Sequence, residues 1–217
     1  MDTPANDRCA AAAETDLVWY VAYGSNLLAE RFGCYVAGGS PAGSMRTYPG
    51  FRDPAPPRRT EPVTVTGGIY FAGESKVWSG GSAFLDPGLH GTVAARAYLI
   101  GAAQFGDLAE QEMLREPLDD RDLSVVLADG RHVYGQGRYE TLLRLGERAG
   151  VPMLTVSAPW TAATAELAAP TGDYLRTIGR GIAEAHGWDA DRVGRYLAEA
   201  PGAADRWRAD QIAALLA

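Results

Sequence analysis

The stretch "WYVAYGSNLLAERF", Trp19–Phe32, joins an apolar, aromatic segment directly to the start of a helical pattern. Its apolar part belongs to a run from Leu17 to Ala22 that reads as a buried strand. Between strand and helix stand Tyr23, Gly24, Ser25 and Asn26, small or polar residues where a core prefers neither. Ser25 or Asn26 is placed to cap the helix, and Gly38-Gly39 to end it. The backbone N–H groups at such a helix entrance suit an anion, and Gly24 lets the backbone approach a ligand closely.

Working outward, a Pro-, Gly- and Arg-rich loop is expected from Ser40 to Pro62. "VTVTGGIYFA" then reads as a strand, a glycine break and a second strand, and "GTVAARAYLI", Gly91–Ile100, as another. "GAAQFGDLAEQEML" has helical spacing, and from Asp119 to Gln136 the pattern breaks into strand fragments and turns. "RYETLLRL" and "VPMLTVSAPW" flank "GERAG", a natural hairpin loop. "TGDYLRTIGRGIAEAHG" and "DADRVGRYLAEA" read as closing helices, with a short last one from Ala209. This order predicts an α+β fold with a mixed, largely antiparallel, barrel-like sheet and flanking helices. One domain over 17–217 follows a disordered tail at 1–16.

The chain's 217 residues are enough for a substantial single core. Its 47% hydrophobic and 22% charged residues are those of ordinary globular proteins. A formal net charge of -7 argues against an unspecific grip on nucleic acid or anionic lipid. "PPRR", Pro56–Arg59, is the one local basic patch, and a solvated loop explains it. No segment approaches the ~18–20 apolar residues of a membrane-spanning helix. The acidic start lacks the basic and apolar blocks of a signal peptide, so a cytoplasmic chain is expected. Cys9 in the tail and Cys34 in the first helix read as reduced thiols.

The second helical segment carries a carboxylate on an apolar face. At about 100° per residue, Phe105, Leu108 and Ala109 share one side, and Glu112 falls in the middle of it. Asp107 and Glu110 are placed elsewhere, where charge belongs. Loss of water raises a carboxyl pKa unless cations or N–H donors compensate. A carboxyl so tuned can act as a base and then as an acid; the same spacing also fits a purely structural glutamate.

"YGSNLL" after an aromatic strand, with "LAEQEM" downstream on a helix, resembles the γ-glutamylcyclotransferase-like family. "GRYETLLRL" resembles that family's next strand, with Tyr139 at an aromatic position. "PTGDYLRTIGRGIAEAHGWDADRVGRYL" resembles its closing helices, with Tyr174 as the tyrosine that lines the substrate pocket. The resemblance implies a substrate region at Tyr20, Val21, Ala22, Tyr23, Gly24, Ser25 and Asn26, with Tyr139 and Tyr174 on the wall and Glu112 as the proton-transfer residue. It implies cleavage of a γ-glutamyl peptide or amine, with release of 5-oxoproline and no cofactor or metal. A related deprotecting enzyme acting on a biosynthetic intermediate, or a silent binding module, are the alternatives. Extra residues between Pro41 and Pro87, and between Glu112 and Tyr139, would reshape the pocket mouth. No GxSxG or HExxH occurs, and His90, His132 and His186 form no zinc-type pattern. A small molecule is the expected partner, with the chain a monomer or homodimer.

Overall fold

The computed structural model describes residues 16–41, 46–75 and 77–217. The expected tail at 1–16, with Cys9, lies outside these residues except for Asp16. In chain order, β1 (Leu17–Ala22) leads through a 3-10 turn (Ser25–Leu27) into α1 (Ala29–Ala37). Next come β2 (Arg59–Thr66), β3 (Gly68–Ala72), β4 (Ser82–Asp86), β5 (Thr92–Gly101) and α2 (Ala102–Glu112). The chain continues with α3 (Ser124–Asp129), β6 (Arg131–Val133), β7 (Thr141–Arg148) and β8 (Val151–Ser157). It ends with α4 (Gly172–His186), α5 (Ala190–Ala198) and α6 (Ala209–Ala214).

The architecture is mixed α+β, with a mostly antiparallel sheet and flanking helices. Six strands lie in the order β2-β5-β1-β8-β7-β6, while β3 and β4 form a separate two-stranded ribbon. Only β1 and β8 run parallel within the six-stranded sheet; its other neighbours are antiparallel. A strand covered on both faces needs apolar residues at every position, and all six of β1 are buried. Alternate side chains then sort to opposite faces. Val18, Tyr20 and Ala22 join Phe32, Tyr35, Phe105 and Leu108 of α1 and α2. Leu17, Trp19 and Val21 join Leu175, Ile178, Ile182 and Leu197 of α4 and α5.

Several local expectations change. The loop after α1 ends before β2 at Arg59, earlier than Pro62. Ser25 and Asn26 do not cap α1, whose N-cap is Leu28 without a side-chain bond. The intervening 3-10 turn closes on itself instead, Leu27 N–H donating to Gly24 O (3.0 Å) and Leu28 N–H to Ser25 O (3.2 Å). Gly38 and Gly39 do end α1, at φ 79° and 105°. The β7–β8 turn shrinks to Ala149-Gly150, both at positive φ, because β7 continues through a register shift between Arg144 and Glu147. Strand β4, "SAFLD", is buried throughout and so lacks the alternation that would reveal it. In the segment from Asp119 to Gln136, β6 is one of the expected strand fragments, whereas the helix α3 was not expected.

Asp107 is also a correction: its side chain is only 2% exposed. Arg52 draws it in from the long loop, its backbone N–H donating to Oδ2 and its Nε to Oδ1, each at 2.8 Å. That partner is remote in sequence, so helical spacing alone cannot show it. Asp107→Ala takes one of two carboxylates from a guanidinium that is one-third exposed and still paired with Asp120. We expect a loss of about 1–3 kcal/mol, below the cost for a wholly buried pair. Urea denaturation checks this; an unchanged midpoint would remove the pair from the fold's energetics.

Candidate active site

The Tyr23–Asn26 loop is fixed by side chains from four directions. Tyr23 Oη donates to Val156 O (2.7 Å) and Thr155 Oγ1 to Val21 O (2.7 Å), fastening the end of β1 to β8. Tyr98 Oη donates to Asn26 O (2.8 Å), and Arg31 Nε to Ser25 Oγ (2.8 Å). Within the described residues, the N–H groups of Gly24, Ser25 and Asn26 have no acceptor. These are the unpaired donors that the first turn of any helix leaves. Gly24 itself lies at φ -105°, a value open to any residue. A Cβ there would stand 3.3 Å from Tyr174 Oη, so close packing against Tyr174 is what favours glycine.

Glu112, the last residue of α2, reaches the same cleft. Asn26 Nδ2 donates to its Oε1 (3.1 Å) and to Tyr20 Oη (3.2 Å). Removal from water pushes the Glu112 carboxyl above its ordinary value of 4.5, while Tyr35, Arg46, Arg31 and Asn26 pull it back only in part. Burial also holds Tyr20, Tyr23, Tyr35 and Tyr139 well above their ordinary range, and Tyr174 at about 12. At neutral pH these phenols are therefore uncharged.

Tyr139, at φ 61°, donates from Oη to Ala83 O (3.0 Å), and Tyr174 Oη accepts from Ala83 N–H (3.2 Å). Both line the cleft with Tyr20, Tyr23, Gly24, Ser25, Asn26 and Glu112. Val21 and Ala22 do not line it. They point into the cores on opposite faces of the sheet, because a buried central strand has no free face. Among the described residues, no three His, Cys, Asp or Glu side chains group as a metal site. His186 Nε2–H bonds Ala95 O (2.9 Å) at the end of α4, consistent with a structural role.

No family model matches this sequence. The chain is 28% identical over 206 residues to Histone deacetylase 5 of Arabidopsis thaliana, an alignment that covers 84% of this chain and 30% of that protein. It thus spans 30% of the length of the curated relative it matches. Among solved structures it is similar to an uncharacterized protein from Homo sapiens, at 18% identity and a TM-score of 0.49. It is likewise similar to a gamma-glutamyl cyclotransferase, at 17% identity and a TM-score of 0.49. Each of these alignments covers 86% of this chain and 89% of the other.

The sequence reading passed over several lining residues, including Arg31, Tyr35, Tyr48 and Trp78. Arg31 and Tyr35 lie on the buried face of α1 with Phe32 and Val36. A charge on an apolar face is the signal that exposed Glu112, so Arg31 was open to the same test. Tyr48 and Trp78 come from loops and carry no periodicity to mark them.

Proposed function

We propose that the chain is a γ-glutamylcyclotransferase-type enzyme that opens a γ-glutamyl amide and releases 5-oxoproline and an amine. The observation that carries this reading is the bond from Asn26 of the YGSN loop to the Glu112 carboxylate, inside one cleft. A base with a raised pKa therefore stands beside a set of unpaired backbone donors.

The substrate supplies its own nucleophile. Glu112 takes a proton from the α-ammonium, and the freed amine attacks the γ-carbonyl carbon. Electrons of the C=O move to oxygen, which the loop's N–H groups are placed to receive. The intermediate then collapses, breaking the bond to the departing nitrogen. Glu112 returns its proton there and then relays the ring nitrogen's surplus proton to the same amine, which departs as an ammonium, so the enzyme ends as it began. Ring closure within one molecule gains from positioning, up to ~7–11 kcal/mol in ideal cases. Neutral tyrosines offer hydrogen bonds without competing for the proton.

A panel of γ-glutamyl dipeptides and γ-glutamyl amines, with 5-oxoproline measured by chromatography, tests the proposal. Release from at least one member is expected. Silence across the panel would sink this reading and leave the binding module in its place.

A further inference from the structure

We propose that Arg31 is the receptor for a substrate carboxylate, so that the cleft reads an unblocked α-amino-acid head: its amine faces Glu112 and its acid group faces Arg31. This deepens the γ-glutamyl reading and rests on it for the reacting end of the substrate. The argument itself starts from an unbalanced charge in the fold.

Arg31 is 5% exposed. A guanidinium withdrawn from water is costly unless it is paired and hydrogen-bonded. The fold observes this elsewhere: buried Arg96 pairs with Glu184 at 2.6 Å, and Arg121 pairs with Glu110. Arg31 makes no ion pair among the described residues. Its bonds go to hydroxyls, from Nε to Ser25 Oγ and from Nη2 to Tyr48 Oη, both at 2.8 Å. Its Nη1 has no partner among those residues. The rings of Trp78 and Tyr48, centred 5.0 and 5.7 Å from its guanidinium carbon, offset the charge only partly.

Arg31 borders the cleft, and Glu112 is the one carboxylate among the described residues that line it. The two charges face one space without forming an ion pair. An α-amino-acid head carries an ammonium and a carboxylate on a single carbon, which complements that separation. Arg46, the other cation of the wall, donates to Gln111 O (2.5 Å) and lies against the Tyr48 ring. With the acid group on Arg31, the N–H groups of Gly24, Ser25 and Asn26 are left for the carbonyl oxygen.

The test uses two amides of one amine: the γ-glutamyl amide, and the 4-aminobutyryl amide that lacks only the α-carboxylate. Both can close a five-membered lactam. The unaltered protein should prefer the first by about 100-fold or more in kcat/KM, the size expected for a desolvated charged contact. Arg31→Met should bring the two within about tenfold of each other. Arg31→Lys should keep part of the preference, and circular dichroism reports whether each variant folds. No preference in the unaltered protein overturns the proposal without any variant. A folded Arg31→Met that still discriminates overturns it too, while leaving the cyclotransferase reading intact. If neither amide is opened, the wider panel decides that reading, and calorimetric binding of the same two amides decides the proposal. Tighter binding of the γ-glutamyl amide, lost in Arg31→Met, supports it; equal or absent binding overturns it.

Discussion

Glu112→Gln should lower 5-oxoproline release by about 100- to 10,000-fold, the range for loss of a positioned general base, while the fold stays intact. Glutamine keeps the shape and still offers an oxygen to Asn26, so the variant removes proton transfer and little else. The pH behaviour carries a second signature. A base works deprotonated, so activity should rise with pH through a midpoint above the ordinary glutamate value of 4.5, because burial raises this carboxyl. Stability should move the other way. Between the unfolded and folded pKa values the folded chain holds a proton that the unfolded chain has lost, so stability falls as pH rises across that window. Relative to the unaltered protein, Glu112→Gln should therefore gain stability from acid towards neutral pH, with the gap closing in acid. Paired melting curves and kcat/KM profiles measure both. A variant that releases 5-oxoproline at the original rate would end Glu112's role as base and acid.

Gly181→Ala should damage stability and activity together, although residue 181 lies on α4 outside the cleft lining. A Cβ there would stand 2.5 Å from Leu28 N and 2.6 Å from Leu27 C and Cβ. Two of those three atoms are backbone and have no rotamer to escape into. In an open helix the same change would gain ~1 kcal/mol from propensity. Overpacking costs about 1–3 kcal/mol, so the net effect should be a loss. The displaced atoms follow directly on Ser25 and Asn26, so the loop's N–H groups and Asn26's hold on Glu112 should shift. Arg180→Ala, at the exposed neighbouring position, should stay within about 0.5 kcal/mol. Urea denaturation and kcat/KM on all three chains test this; an unperturbed Gly181→Ala would show that α4 can withdraw from the loop.

What the sequence disclosed follows from the range of each interaction. The β1 run, the hairpin around Gly150 and the closing helices depend on neighbours in the chain, and they were legible. So was Glu112, because helical geometry fixes its face whatever packs against it. Asp107 was misplaced by the same geometry, since the attraction of Arg52 overrides the face that periodicity assigns. β4 was missed because its five buried residues neither alternate nor, with Ser82 and Asp86 at the ends, form an apolar run as long as that of β1. Val21 and Ala22 were included with the site because adjacency to the loop stood in for direction, and a strand's residues alternate in direction. The cleft's far wall, Tyr48 and Trp78, is brought in by loops whose paths depend on the finished fold.

The parallel pairing of β1 with β8 has a consequence for synthesis. The loop leaves the ribosome well before β8, because its fasteners at Thr155 and Val156 are 134 and 133 positions from their partners. At cellular translation speeds the wait is on the order of ten seconds. Throughout that interval the nascent chain carries the glycine turn without its anchorage. Products released before β8 should accordingly be inert, and they would expose the apolar flank of β1 to whatever chaperone attends the exit tunnel.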